Sequence, residues 1–219
     1  MGETPGDISR VLDVSLAAFQ SLLTRLVTSP DLRRDLAADG EAAIAGLELT
    51  PAERRRAVSL AADRGVMVTA TLVESFRLGK ILALLPLTRT LLGDDRLGQE
   101  ARRYWSESPP RSFYAVDEVI GFCDYLQHRL EEDLRVPCLS DVVSLERTML
   151  DLRRPSPRGG PVTRQIYLQH DAVELLGPLA AGRVPENVRD NPCVLLATVE
   201  DDGSVNWAPA RSTSSPAPA

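Results

Sequence analysis

The sequence predicts a mainly α chain of the α+β kind: a multi-helix body followed by a small C-terminal strand-containing module with a β-hairpin. Three observations carry this. Up to about residue 152, apolar residues recur at i, i+3 and i+4, the period of a helix with one buried face. Helix-opening signals, Ser29-Pro30 and Thr50-Pro51-Ala52-Glu53, stand directly ahead of such stretches. Beyond Arg153 short strand-like runs take over, two of them divided by Asp201-Asp202-Gly203.

Asp7 can cap a first helix reaching about Thr28, with Ile8, Val11, Leu12, Phe19, Leu22, Leu23 and Leu26 as its apolar stripe. Ser29 and Pro30 then fit the N-cap and first position of a short helix that stops at Gly40, and Glu41–Leu47 fits one more turn. The Thr50 capping box opens a long helical pattern through Ala57, Leu60, Ala61, Val68, Leu72 and Phe76 towards Leu84. Gly65 is a place for it to bend, and Pro86 ends it. After Gly93-Asp94-Asp95 a helix runs through Leu97, Ala101, Tyr104 and Trp105. Pro109 and Pro110 stop it, since neither has a backbone N–H and each pushes its predecessor out of helical geometry.

A new helix succeeds the prolines, burying Ala115, Val119, Phe122, Cys123 and Leu126. Arg111 and Ser112 sit on the corner between the two, as a stability device or a docking point. Pro137 punctuates again, and Ser140 caps a helix through Val143, Leu145, Met149 and Leu152. Residues 153–161, rich in proline and glycine, form a linker. The module at 162–208 has a strand over Thr163–Leu168, a short helix over Asp171–Leu179, and a hairpin from Cys193–Glu200 and Ser204–Trp207. Residues 209–219 hold too little apolar matter to order themselves.

The balance of side chains narrows the function. A net charge of −6 disfavours a dedicated nucleic-acid binder. The arginine clusters at Arg33–Arg34, Arg54–Arg56, Arg102–Arg103 and Arg153–Arg154 read mostly as solvated helix faces. No apolar run is long enough to span a membrane. The opening MGETPGDIS lacks the regions of a secretory signal, and three widely spaced cysteines fit a reducing compartment. A cytoplasmic location is expected.

Candidate chemistry is sparse. His128 and His170 show no metal-ligand spacing. His128 reads as a surface residue. His170 stands beside Asp171, which invites a general-base pairing, but Asp171 is more simply the N-cap of the next helix. Cys123 belongs to an apolar face, where a thiol behaves as a small hydrophobe. Nucleophile-elbow, P-loop and dinucleotide-binding motifs are all missing. No catalytic residue, metal ligand or cofactor is expected on this chain, which favours a binding or accessory role.

The stretch LPLTRTLLGDDRLGQEARRYWSESPPRSFYAVDEVIGFCDYL resembles the N-terminal helical domain of the HvfC/BufC family, sometimes labelled DNA-binding. The matching positions are Pro86, Leu91, Leu92, Gly93, Ala101 and Tyr104, then Pro109, Pro110, Arg111 and Ser112, then Phe122 and Leu126. Pro137, Leu139, Asp141 and Leu145-Glu146 are similar to the family's next helix. Val116-Asp117-Glu118 stands where the family has Asn-Glu-Tyr. On this likeness residues 85–152 form the family-like domain, and residues 1–84 a preceding helical region. In that region Leu32, Leu47, Leu49, Thr50 and Glu53 are similar to the small helical domain of ring-opening dioxygenase alpha subunits.

The resemblance extends to the MbnC and TglI proteins. It implies a non-catalytic partner of a TIM-barrel, multinuclear non-heme iron oxidase, paired with it as a heterodimer. Such a partner helps present a ribosomal precursor peptide whose cysteines the enzyme modifies, with the metal on the enzyme. The expected contacts are Arg111, Ser112 and Tyr114 at the corner and Val194, Leu196 and Trp207 on the hairpin. The hairpin could capture peptide by strand addition or could simply cover the helical core. Two other expectations stand beside this one. A DNA-binding regulator would use Arg102, Arg103, Arg111 and the Arg153–Arg158 region; a dioxygenase subunit would rest on the first 80 residues.

Overall fold

The computed structural model describes residues 5–108, 115–154, 162–200 and 204–210, with side chains from Ser15 onward. Among them are eight α-helices followed, from Val162, by a three-stranded antiparallel sheet, with a ninth helix between its first two strands in sequence. The fold class read from the sequence is the one observed. No helix among the described residues is long and apolar enough to cross a membrane. The proline corner at 109–112, most of the 153–161 linker, the hairpin loop and the tail beyond residue 210 lie outside the described residues, as do the first-helix side chains Ile8, Val11 and Leu12.

The chain divides into two compact units, one of residues 1–79 with 102–111, the other of 80–101 with 112–219. In the first unit, α1 (Pro5–Thr28), α2 (Pro30–Asp39) and α3 (Pro51–Ala61) enclose a core of Leu22, Leu26, Leu32, Leu36, Ile44 and Ala57. The capping residues act as the sequence predicts. Ser29 Oγ accepts the Leu32 N–H at 3.2 Å, and Thr50 and Glu53 form the reciprocal box. The turn after Gly40 is a 3-10 helix, Gly40–Ile44. Arg54 fastens the segment between that turn and α3 by donating to the carbonyls of Ile44, Leu47 and Leu49 at 3.0, 2.7 and 3.3 Å.

One expectation fails here. The long helix towards Leu84 is two helices, α3 and then α4 (Arg64–Leu84), and Gly65 is not the bend. The carboxylate of Asp63 accepts the N–H groups of Gly65 and Val66 at 2.7 and 3.1 Å, which starts a fresh helix. A Cβ at Gly65 would lie 2.9 Å from the Asp63 oxygen, so a larger residue there would push the capping carboxylate aside.

The second unit is built around α7 (Ala115–Glu132) and α8 (Leu139–Leu152). Val119, Phe122, Cys123 and Leu126 of α7 are fully buried, as its spacing predicts, whereas Ala115 at its start is only partly buried. Ahead of it come α5 (Pro86–Leu92) and α6 (Asp94–Glu107), separated by Gly93 at φ 77°. Buried Arg129 of α7 bonds Glu100 of α6 at 3.4 Å as well as Asp133, and Tyr125 donates to the same Glu100 at 3.0 Å. Ser140 does not cap α8: the N-cap is Cys138, in left-handed geometry (φ 60°), so the helix starts at Leu139, and the Ser140 hydroxyl bonds Gln127 at 3.1 Å.

The strands are β1 (Val162–His170), β2 (Asp190–Val199) and β3 (Val205–Pro209), in that spatial order, with α9 (Ala172–Ala180) between the first two. Ile166, Leu168 and Ala197 pack with Leu145 and Leu152 of α8 in one core, so one face of the sheet covers a helix. Leu175 and Leu179 of α9 close on Val142 beside Leu87 and Leu91.

Candidate functional site

The sheet positions the hairpin residues singled out from the sequence. β2 pairs with β3 in the register Val199↔Val205, Ala197↔Trp207 and Leu195↔Pro209, and with β1 in the register Ile166↔Leu195 and Tyr167↔Val194. Directly opposed residues share a face. Trp207 therefore lies on the face of Ala197, the side that meets α8. Val194 and Leu196 lie on the opposite face with Tyr167 and Gln165. The structure does not bring these three predicted contacts together on one surface. Arg111, Ser112 and Tyr114 lie outside the described residues.

β1 and β3 are the two edges. Hydrogen bonds from Glu200 N–H to Ser204 at 2.9 Å and from Ala210 N–H to Val194 at 2.8 Å fix the alternation of the hairpin ladder. By that alternation Asn206 and Ala208 bond to β2, while Val205 and Trp207 direct their N–H and C=O groups away from it. Pro209 has no N–H to offer, so the usable edge is short. Trp207 stands on it with 44% of its surface exposed, and Tyr167 of β1 is 63% exposed on the outer face.

At the other end of the sheet the structure shows a pair absent from the sequence reading. Asp141 of α8, almost wholly buried, accepts the Gln169 and His170 N–H groups at 2.8 and 3.0 Å and lies 2.9 Å from His170 Nδ1. The β1–β2 register shifts between Leu168 and His170, so the carboxylate receives donors at the point where the ladder is disturbed. The partner is distant in sequence, and no local pattern announces it. The other His170 nitrogen is 3.6 Å from exposed Asp190. The neighbouring Asp171 is the cap predicted for α9: it accepts from Val173 and Glu174 at 3.0 and 3.1 Å, and the amide of Asn191, ahead of the α9 donors, holds its carboxyl below the usual range. His128 is exposed beside Glu131 and Glu132.

A second buried carboxylate, Glu146, lies further along α8. It accepts the Leu87 and Thr88 N–H groups at 2.7 and 2.9 Å. Burial pushes its carboxyl above the ordinary value. The Cys123 thiol is also raised by burial, and secondarily by the charges of Glu146 and Asp124, which keeps it a poor nucleophile. Cys138 is raised by burial as well. Among the described residues no group of three His, Cys, Asp or Glu side chains could hold a metal ion. Asp141 and Glu146 thus tie β1 and α5 to α8; the surface open to a partner includes the sheet edge and, on α4, the exposed apolar side chains of Met67, Val68, Leu72 and Phe76. No family model, no curated protein and no solved structure matches this chain.

Proposed function

We propose that this chain is a non-catalytic, cytoplasmic partner subunit that binds a multinuclear non-heme iron oxidase and holds its ribosomal precursor peptide as an added strand along β3. The observation that carries the reading is the β3 edge, where Val205 and Trp207 turn their backbone groups outward beside a half-exposed indole. A peptide strand laid there gains main-chain hydrogen bonds. Its side chains alternate between two faces, so one set would meet Trp207 and the other Ala208 and Leu196. The separation of Trp207 from Leu196 therefore suits strand addition better than a single docking patch. The resemblance of residues 85–152 to the oxidase-partner family supplies the class of enzyme and peptide.

Co-expression with a multinuclear non-heme iron oxidase and a short cysteine-containing peptide tests the reading. Retention of both on the tagged chain is expected. Placing a proline at Trp207 should weaken peptide retention at least tenfold while leaving oxidase binding intact, because it removes an outward N–H. A monomer that ignores both oxidase and peptide, or a peptide bound equally well by W207P, would defeat the proposal.

A further inference from the structure

The first unit contains a cleft of about 400 Å³, walled by the α1–α2 turn, α4 and the last turns of α6. That volume falls within the roughly 300–1,000 Å³ of small-molecule sites. Four arginines line it, Arg33, Arg77, Arg102 and Arg103, against the two carboxylates Asp31 and Glu74. The local surplus is positive although the chain carries −6.

Both carboxylates are already engaged, Asp31 by Arg34 at 3.0 Å and Glu74 by Arg102 Nε at 2.7 Å. Arg33 donates to the carbonyls of Leu26 and Val27 at 2.5 and 3.3 Å, which neutralises the negative end of α1. Arg103 meets Glu107 through Nε alone, at 3.3 Å, in a half-exposed pair, and its terminal nitrogens make no other bond among the described residues. Trp105 forms part of the wall, with the Arg77 guanidinium 4.5 Å from its ring centre. Its Nε1–H is buried with no acceptor among the described residues. Val27, Ala70 and Val73 add apolar surface.

Such a wall is rich in donors and its few acceptors are occupied, so it matches a ligand that brings negative acceptors of its own. We propose that this cleft binds a small organic anion, with its carboxylate or phosphate headgroup held by the forks of Arg102 and Arg103 and its apolar body against Val27 and Trp105. The site does not depend on the peptide-partner reading, since it lies wholly in the other unit.

Of the two tryptophans in the chain, W207F leaves Trp105 as the only one, a reporter inside the cleft. The full-length W207F protein would be titrated with phenyl phosphate, benzoate and, as a neutral control, benzyl alcohol. A saturable change in Trp105 emission is expected with at least one anion and not with the alcohol, and the tighter arm names the headgroup. R103Q should weaken binding at least tenfold, with R103K in between because it keeps the charge and loses the fork. Circular dichroism on both variants confirms folding. No saturable response, an equal response to benzyl alcohol, or folded R103Q binding as tightly as its parent would overturn the site.

Discussion

Glu53, at the start of α3 in the first unit, and Glu146, midway along α8 in the second, each give a carboxylate to the N-terminus of a helix. Glu53 serves its own helix. It accepts the Thr50 N–H at 2.8 Å while Thr50 returns the favour, and it takes a further bond from the Ser15 hydroxyl. Glu146 serves a helix 59 residues away. The N-cap of α5 is Leu85, whose side chain cannot cap, and Pro86 has no N–H; Leu87 and Thr88 then present the donors that Glu146 takes. The first cap is a short-range motif written in four consecutive residues. The second exists only because two helices pack together.

The two carboxyls also differ in charge preference. The Ser15 hydroxyl, followed by the Thr50 groups, holds the Glu53 carboxyl below its ordinary value near 4.5. Burial is the leading influence on Glu146 and raises it, despite the amides it accepts from. One carboxylate is favoured by folding, and the other is carried into the interior against its solvation.

The largest test of this contrast removes the remote cap. E146A should lose about 3 kcal/mol in denaturant unfolding, because the buried Thr88 amide and the part-buried Leu87 amide are left without their acceptor. A loss no greater than that of a surface substitution would show that α5 does not need the cap. D141A should lose about 2 kcal/mol by the same measurement, since His170 is part-exposed and water can replace some bonds there. Hydrogen exchange at the Gln169 and His170 amides should accelerate in that variant and stay unchanged in E146A; acceleration in both would merge two tethers into one. T50A should lose about 1 kcal/mol, the ordinary worth of a local N-cap.

The smallest effect is on pH dependence, and its sign separates the two carboxyls. A raised folded value means that the native state binds the Glu146 proton more tightly than the unfolded chain. Its contribution therefore falls as pH rises from about 4.5 through the raised value. For Glu53 the folded value is lowered, so its contribution is full above about 4.5 and is lost as pH falls through the lowered value. Melting profiles of E146Q and E53Q against the parent should diverge in opposite directions as pH rises. Parallel profiles would erase the distinction.

Several elements were legible from residues close in sequence. Ser29-Pro30, the Thr50 box, Asp171 ahead of α9, the buried face of α7 and the terminal hairpin all appear where their local signals place them. The errors came where a local cue had a competitor. Gly65 looked like the bend, but the Asp63 carboxylate two residues earlier restarts the helix; Ser140 looked like the cap, but Gln127 takes its hydroxyl. The His170–Asp141 pair lay 29 residues apart and gave no periodic sign. Of the cleft, the sequence showed Arg33 and Arg102–Arg103 as members of separate solvated clusters, with nothing to say that they line one cavity.

By itself, then, the sequence determined the helical class, most helix starts and the hairpin, because those depend on hydrogen bonds and apolar spacing within a few residues. Only the tertiary structure decided that β1 joins the hairpin as a third strand, that Trp207 and Leu196 part to opposite faces, and that Asp141 and Glu146 serve donors on other elements. The reason is physical: a buried N–H must find an acceptor somewhere, and when its own segment has none to give, packing alone determines which distant carboxylate answers.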